Sequence, residues 1–468
     1  MPLTILSQSQ LRALLLSLTR DEIIQLQQNL SKSLQDYSTG SQESGCSATY
    51  QPQRTAITRQ NGCTTLFMPA STGATIGMKM ISLQDGGTAG CAVSGSGVES
   101  PSTTDKTSMR SQGPRSSTAS VTSDLSELSI SSQEEERERS SSTSSASLPS
   151  GCVNKLPVDS GLSDTMGAWP AAGTRDTSPQ GSVTLLDEES LPFGLINAHE
   201  LTPFRTALTS TMVFNKRKRV RTVVVFGAGK QAYWHIRLAL VLRGSEIKRV
   251  FIVNRSFDRA AQLLRDIYAP ENASWRGDVK FSAVSNDFGE YSRVIHDALH
   301  KADAIFCCTP SITPLFPAHH LTSHEGRQKG RLISAIGSYK PHMTELDPDI
   351  IREEVTVQHS HRHFHKHVKR SGVVVVDSLD AALKEAGEII QAEVKPNQVV
   401  ELGELLMVRQ AGRDLSQEDE DSKSLREWVE KGNVIYKSVG LGLMDLVTGG
   451  DLVQLARQRK IGTTVEEF

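Results

Sequence analysis

No stretch of about 18 consecutive apolar residues occurs in the chain, so the sequence predicts no membrane-spanning helix. Cysteine is scarce: six residues in 468, scattered apart from the adjacent Cys307 and Cys308, with no C-x-x-C pair. That pattern argues against both a disulfide framework and a structural zinc site. Charge is also nearly absent in net terms. The formal value is -2, from 51 basic and 53 acidic side chains, so no global field draws the chain to nucleic acid or to an anionic membrane. The opening Met1-Pro-Leu-Thr-Ile5 lacks a basic region followed by an apolar core, so secretion is not expected. A reduced, soluble, cytoplasmic protein is the expectation, long enough for two or three domains.

What is present centres on residues 221–232. Val223, Val224, Val225 and Phe226 form a short β-branched apolar run that reads as an internal parallel strand. Gly227 and Gly229 follow, and Gln231 to Leu242 has a helical apolar pattern. Strand, glycine turn and helix is the context of a dinucleotide-binding motif. The first glycine permits the tight turn and the second lets backbone approach the pyrophosphate, while the helix N-terminus offers unpaired N–H groups. Ala232 stands where a third glycine often sits. Gly227, Gly229, Lys230 and Gln231 are therefore expected to bind a cofactor.

A second strand over Lys248–Val253 ends in Asn254, Arg255 and Ser256. NAD enzymes place an Asp or Glu there, on the ribose 2′-hydroxyl. This chain offers a guanidinium, which can pair bidentately with a 2′-phosphate. NADP is expected, with NAD the alternative; Arg255 as a plain solvated strand-end residue is the other reading.

Along the chain, Leu11 to Leu34 carries apolar residues at helical spacing, with a break near Thr19. Gln53–Ile57, Thr64–Met68 and Gly77–Ser82 read as strands, and Met68–Ser71 as a turn. From about Gly86 to Gln180, Ser, Thr and Gly dominate, and such a stretch buries too little apolar surface to offset its ordering entropy; it reads as a disordered insertion. Val183–Asp187 and Pro192–Ile196 form an expected hairpin. Leu201–Val213 reads as a helix with Thr202 as N-cap and Pro203 at its first position. Strands at Asp303–Thr309, Arg331–Gly337 and Val373–Asp377, with helices between them, complete a Rossmann-type pattern. Thr309 closes the first of these strands and is expected beside the cofactor. His359, His361, His363, His365 and His367 alternate with other residues. They would share one face of a strand and could hold a metal, but no carboxylate or cysteine accompanies them; an exposed loop is favoured and no metal is assigned.

With these residues in view, the chain resembles the ornithine cyclodeaminase/μ-crystallin family. The resemblance rests on Arg54-Thr55, Met68-Pro-Ala70, Gly77-Met-Lys79, Leu201 to Ala207, Gly227 to Ala232, Ala335-Ile-Gly337 with Glu345-Leu-Asp-Pro348, and Tyr436 to Gly440. It implies an α/β architecture in which a Rossmann-type NAD(P)-binding domain is inserted in an α+β substrate-binding and dimerisation domain. The expected divisions are 1–85 and 181–218 for the substrate domain, 86–180 for the disordered insertion, 219–432 for the Rossmann domain, and 433–468 for a C-terminal helix returning to the substrate domain. A homodimer is implied, as is an imino or amino acid bound between the domains. Arg54, Lys79 and Arg205 match the positions that hold the substrate carboxylate, and Ser438 lies in a motif that borders the cofactor.

Two readings of those three cations follow from the sequence. Lys79 lies between Met78 and Met80, so alternation places it opposite them, facing either the site or solvent. Arg205 falls in the first turn of the expected helix, where an acidic residue suits the dipole better, which favours a functional role. Cyclodeaminases resembling this chain carry an Asp two residues after the glycine of the Ile336-Gly337 segment; here that position is Tyr339. A phenol, with a reference pKa near 10, is a poor substitute for a carboxylate. The favoured reading is an NAD(P)-dependent oxidoreductase that transfers hydride at the α-carbon of a small imino or amino acid, in the manner of a ketimine reductase. An ornithine cyclodeaminase and a non-catalytic NADPH-binding protein are the alternatives.

Overall fold

Two β-sheets organise the described part of the chain, which in this computed structural model comprises residues 2–40, 46–84, 179–356, 372–407 and 420–468. The His359–His367 run and all but the end of the serine-rich stretch lie outside the described residues. No helix among the described residues is long and apolar enough to cross a membrane.

The first sheet takes β1 (Leu3–Leu6), β2 (Thr55–Thr58), β3 (Cys63–Ser71), β4 (Ile76–Gln84), β5 (Gln180–Leu186), β6 (Pro192–Asn197) and the last strand of the chain, β15 (Thr463–Val465). Their order is β15-β1-β6-β5-β4-β3-β2. All neighbours are antiparallel except β1 and β6. The turn expected at Met68–Ser71 is instead the end of β3. Pro69 is tolerated because β2 pairs only as far as Phe67, so no strand on that side asks for the missing N–H. Helix α1 (Gln8–Leu16) packs on β1 and β6, and helix α2 (Arg20–Thr39) packs on the helices Ala198–Phe214 and Gly442–Arg459. Ser7 and Thr19 start them with capping boxes, and the break expected near Thr19 is that second cap. Leu11, Leu14, Leu15, Ile23, Leu26, Leu30 and Leu34 are buried, as the apolar spacing predicts.

Helix α3 (Ala198–Phe214) starts one turn earlier than expected, with Asn197 as N-cap accepting from the Glu200 N–H. Thr202 and Pro203 lie inside the helix. Pro203 loses one backbone bond there, and the burial of α3 around almost its whole circumference offsets that loss. Arg205 consequently lies in the helix interior rather than its first turn, so the dipole argument for its role does not apply.

The second sheet is wholly parallel. It holds β7 (Thr222–Phe226), β8 (Arg249–Val253), β9 (Lys280–Val284), β10 (Ala304–Cys307), β11 (Leu332–Ala335), β12 (Val374–Val376), β13 (Val399–Glu401) and β14 (Val434–Lys437), in the order β13-β12-β14-β11-β10-β7-β8-β9. Helices α4 (Lys230–Arg243) and α5 (Phe257–Tyr268) link its first three strands. Strand order reverses between β7 and β10, which creates a crevice at their C-terminal ends. The sheet also reaches past Gly432, because β14 sits between β11 and β12. From β14 the chain passes through residues 438–441 into the C-terminal helix (Gly442–Arg459), which packs on β3, β4 and β5 of the first sheet. That short connection delivers the end of a parallel strand directly to the antiparallel sheet.

Candidate active site

At the crevice, β7 runs into Gly227, whose φ is +114°. Its N–H donates to the Val253 carbonyl at 2.8 Å, and a Cβ added there would stand 2.8 Å from the Cys308 carbonyl oxygen. Only glycine fits both the dihedral and the space. Gly229 differs. It is the N-cap of α4, has extended φ and ψ, and a Cβ on it would meet nothing within 4 Å. No side chain caps this helix, so its first N–H groups are left to an external anion. Bare glycine, uncapped N–H groups and open space fit the pyrophosphate of a nicotinamide dinucleotide. Ala232 is fully buried, as close helix–strand packing requires.

The other expected cofactor contacts separate by geometry. Asn254 donates from Nδ2 to the Ser256 carbonyl at 2.8 Å, and Ser256 caps α5. Arg255, next to them at the end of β8, is exposed and has no ion-pair partner among the described residues. Lys230 is not brought to the crevice: its Nζ donates at 2.5 Å to Glu200, a buried carboxylate that also accepts from Arg12 and Trp234, each at 3.1 Å. Lys230 thus ties α4 to α3. Gln231 Oε1 is buried without a hydrogen-bond partner. The Thr309 N–H donates to Glu345 Oε1 at 2.8 Å, while Glu345 Oε2 accepts from the Gly337 N–H at 2.5 Å. One carboxylate therefore pins the ends of β10 and β11. Burial lifts its pKa to about 7, with Lys437 pulling it down and Glu388 pushing it up.

Beside the crevice, β4 turns Lys79 inward. Lys79 is 2% exposed while Met78 and Met80 are 40% and 44% exposed, which decides the question alternation left open. Its Nζ donates to both oxygens of Asp445, at 2.9 and 3.0 Å. Arg205 Nε stands 3.2 Å from Asp445 Oδ2, and all three side chains are buried. Burial lowers the Lys79 pKa to about 8, opposed by Asp445 and reinforced by the charges of Arg205 and Arg54. Arg54, less buried, donates to the Tyr339 carbonyl at 3.2 Å and forms an ion pair with Glu385. Two buried cations share one carboxylate, so the cluster holds an excess positive charge, an arrangement suited to an incoming acid.

The connection after β14 joins this cluster to the crevice. Asp377 accepts from Ser438 Oγ at 2.8 Å and from the N–H groups of Val439 and Gly440 at 3.1 and 2.7 Å. Gly440 has φ +97°, and a Cβ there would lie 3.0 Å from Arg205 Nη2. The guanidinium therefore rests against bare backbone. Below Ser438, the buried Lys437 lies 3.1 Å from Glu388 and donates to the Ser338 carbonyl at 2.6 Å.

Sequence reasoning missed Asp445, Asp377, Lys437 and Glu345. Asp445 carried a signal: it is a lone carboxylate in the apolar run Leu441–Val447, and a charge in such a run needs a partner. Lys437, at the end of the apolar Val434-Ile-Tyr436, carried the same one. Which partner each would meet was not readable.

Known proteins resemble this chain in sequence and in fold. Residues 177–448 match the model of the ornithine cyclodeaminase/mu-crystallin family. Delta(1)-pyrroline-2-carboxylate reductase of Bacillus cereus is 27% identical over 297 residues, 61% of this chain and 74% of the relative. Ketimine reductase mu-crystallin of Rattus norvegicus is 24% identical over 273 residues, covering 58% and 67%. Among solved structures, the Thermococcus litoralis Delta(1)-pyrroline-2-carboxylate reductase in complex with NADH and L-proline superposes with a TM-score of 0.58 at 17% identity, across 99% of this chain and 100% of that one.

Proposed function

Since the chain belongs to the ornithine cyclodeaminase/mu-crystallin family, we propose that it is an NADP-dependent oxidoreductase that reduces the C=N bond of a small imino acid, cyclic or open, or runs the reverse reaction. The observation that carries this reading is the buried Lys79–Asp445–Arg205 cluster, linked by residues 438–440 to a crevice with an uncapped helix N-terminus. When bound, the nicotinamide supplies the hydride for the imine carbon.

The chain's own residues do the rest. Gly227, Gly229 and the first turn of α4 hold the pyrophosphate. Arg205 and Arg54 take the substrate carboxylate, and a guanidinium fork fixes its orientation so that the reaction becomes effectively unimolecular. Lys79 stands by as a charge near the imine nitrogen. With a pKa of about 8 it is protonated at neutral pH yet can release its proton, which suits a general acid. Ser438, held by Asp377, borders the cofactor, as do Thr309 and the Asn254–Ser256 segment.

Arg255 supports NADP over NAD: it is exposed at the end of β8 with no ion-pair partner among the described residues. The test is a panel of cyclic ketimine carboxylates, and of α-keto acids with amines, followed at the NADPH absorbance band with NADPH and with NADH. The expected result is oxidation of NADPH by at least one of them. Arg255→Ala should lower the preference for NADPH over NADH by about 10–100-fold, since charge-assisted hydrogen bonds contribute roughly 1.5–3 kcal/mol. An unchanged preference removes Arg255 from the reading. Ammonia released from ornithine with catalytic NAD and no net NADH would instead support a cyclodeaminase. Tight NADPH binding without turnover on any compound would support a ligand-binding protein.

We also read the outer face of β2 and β4 as a homodimer surface, because Ile57, Ile76, Met78 and Met80 are all 40–54% exposed there. Light scattering should give twice the chain mass for the parent and the single-chain mass for Met80→Glu; a monomeric parent rejects this surface. Cys46, Cys63, Cys307 and Cys308 are free thiols, which supports a cytoplasmic, reducing location.

A further inference from the structure

A second group of ionisable side chains gathers at the other end of the parallel sheet. The helix Tyr291–Lys301 ends just before β10 begins, so its last turn lies at the strands' N-terminal edge. The crevice lies at their C-terminal edge, about 13 Å away along a four-residue strand. His296 and His300 occupy that last part of the helix, one turn apart and on one face, with ring centroids 4.5 Å apart. The segment after β10 brings Glu325 against them. One ligand atom from each of His296, His300 and Glu325 lies within 4.8 Å of the other two, with His300 Nε2 and Glu325 Oε2 4.0 Å apart.

We propose that His296, His300 and Glu325 form a binding site for a divalent transition metal ion, zinc in particular, that clamps this helix to the segment around residues 319–328. Two imidazoles at i and i+4 on a helix face, with one carboxylate, form a three-ligand set that leaves a fourth position for water. Bonds of 2.0–2.1 Å in a tetrahedron separate ligand atoms by about 3.3 Å. The group is therefore too open by about 0.7 Å between His300 and Glu325 and by up to about 1.5 Å elsewhere, and Glu325, whose side chain is 70% exposed, is free to move inward.

Two observations single this group out from an ordinary histidine pair. His300 Nε2 is buried and has no hydrogen-bond partner, so a lone pair or a proton is left unsatisfied inside the protein. His320 Nδ1 lies 3.3 Å from His296 Nδ1, the contact a neighbouring group makes when it fixes the ring of a metal-binding histidine. One charge opposes a cation here, because Arg331 is felt at His300; Glu325 and Asp297 are felt there with the opposite sign.

The test uses the full chain with His359, His361, His363, His365 and His367 replaced by Ser, so that this run does not capture the added metal. Cobalt(II) chloride is titrated and its visible d–d bands are read, and the melting temperature is recorded with and without zinc chloride. The expected result is one saturable cobalt per chain and a melting temperature that rises with zinc. His300→Ala should weaken binding more than tenfold, and His320→Phe about 10–100-fold. Glu325→Ala, at an exposed position that leaves the fold intact, should also weaken it at least tenfold. Imine reduction should be unchanged in all three variants, so this site and the catalytic reading fail independently. No saturable cobalt in the parent, or equal affinity in Glu325→Ala, overturns the proposal.

Discussion

Replacing Lys79 by Met should lower turnover at least about 100-fold while leaving NADPH affinity within about twofold, because the ammonium serves the substrate and the pyrophosphate cradle is elsewhere. Methionine matches the lysine stem in length, so the cavity term is small and the change is mainly one of charge. Asp445 is then left with Arg205 alone, 3.2 Å away. Removing one partner of a buried pair costs roughly 3–5 kcal/mol when nothing remains to compensate, and the remaining guanidinium should hold the cost below that. The variant is therefore expected to fold, with a lowered melting temperature. Turnover equal to the parent's would take Lys79 out of the mechanism.

The same residue sets a pH dependence whose direction can be worked out. Lys79 has a folded pKa of about 8 against an ordinary value of 10.5. Between those two pH values the unfolded chain binds more protons than the folded one, so stability gains from this group as pH rises through the window. Turnover runs the other way: it should fall above pH 8 as the ammonium loses its proton. Lys79→Met should abolish the stability gain, seen as a flatter plot of melting temperature against pH from 8 to 10.5. If the plots for parent and variant run parallel, the lysine titrates elsewhere.

How much of this was legible beforehand depends on how local each cause is. The β7–Gly227–Gly229–α4 unit was readable because strand, turn and helix are neighbours in sequence and each glycine has its own steric reason. The break at Thr19 was readable for the same reason. The start of α3 was misread because Thr202-Pro203 makes a good helix entry in isolation, while Asn197 makes one a turn earlier and burial around the whole helix carries Pro203 within it. The charge logic of the site was not readable. Lys79 and Asp445 are 366 residues apart and Glu345 bridges two strands, so these pairings exist only once both sheets are assembled. Alternation could say that Lys79 faces away from Met78, but not that a carboxylate waits there.

Gly229→Val should raise the dissociation constant for NADPH at least about 100-fold with little change in melting temperature, while Gly227→Ala should damage the fold itself. The two glycines are only two residues apart, and their surroundings make the difference. Gly229 has φ -100° and ψ -169°, a conformation any residue adopts, and a Cβ there points into open space. The valine side chain therefore costs the free protein almost nothing, yet it stands over the uncapped N–H groups of α4. Keeping phosphate oxygens out of hydrogen-bond range there forfeits charge-assisted bonds of roughly 1.5–3 kcal/mol each, and two of them account for the expected loss. At Gly227 the φ of +114° alone is strained for alanine by about 1–3 kcal/mol, and the Cβ meets a backbone oxygen at 2.8 Å that cannot swing aside. Calorimetric titration with NADPH alongside thermal melts separates the two effects. A Gly229→Val protein that binds NADPH as tightly as the parent would show that the space above α4 is not where the phosphates sit, and the assignment of the crevice would fall with it.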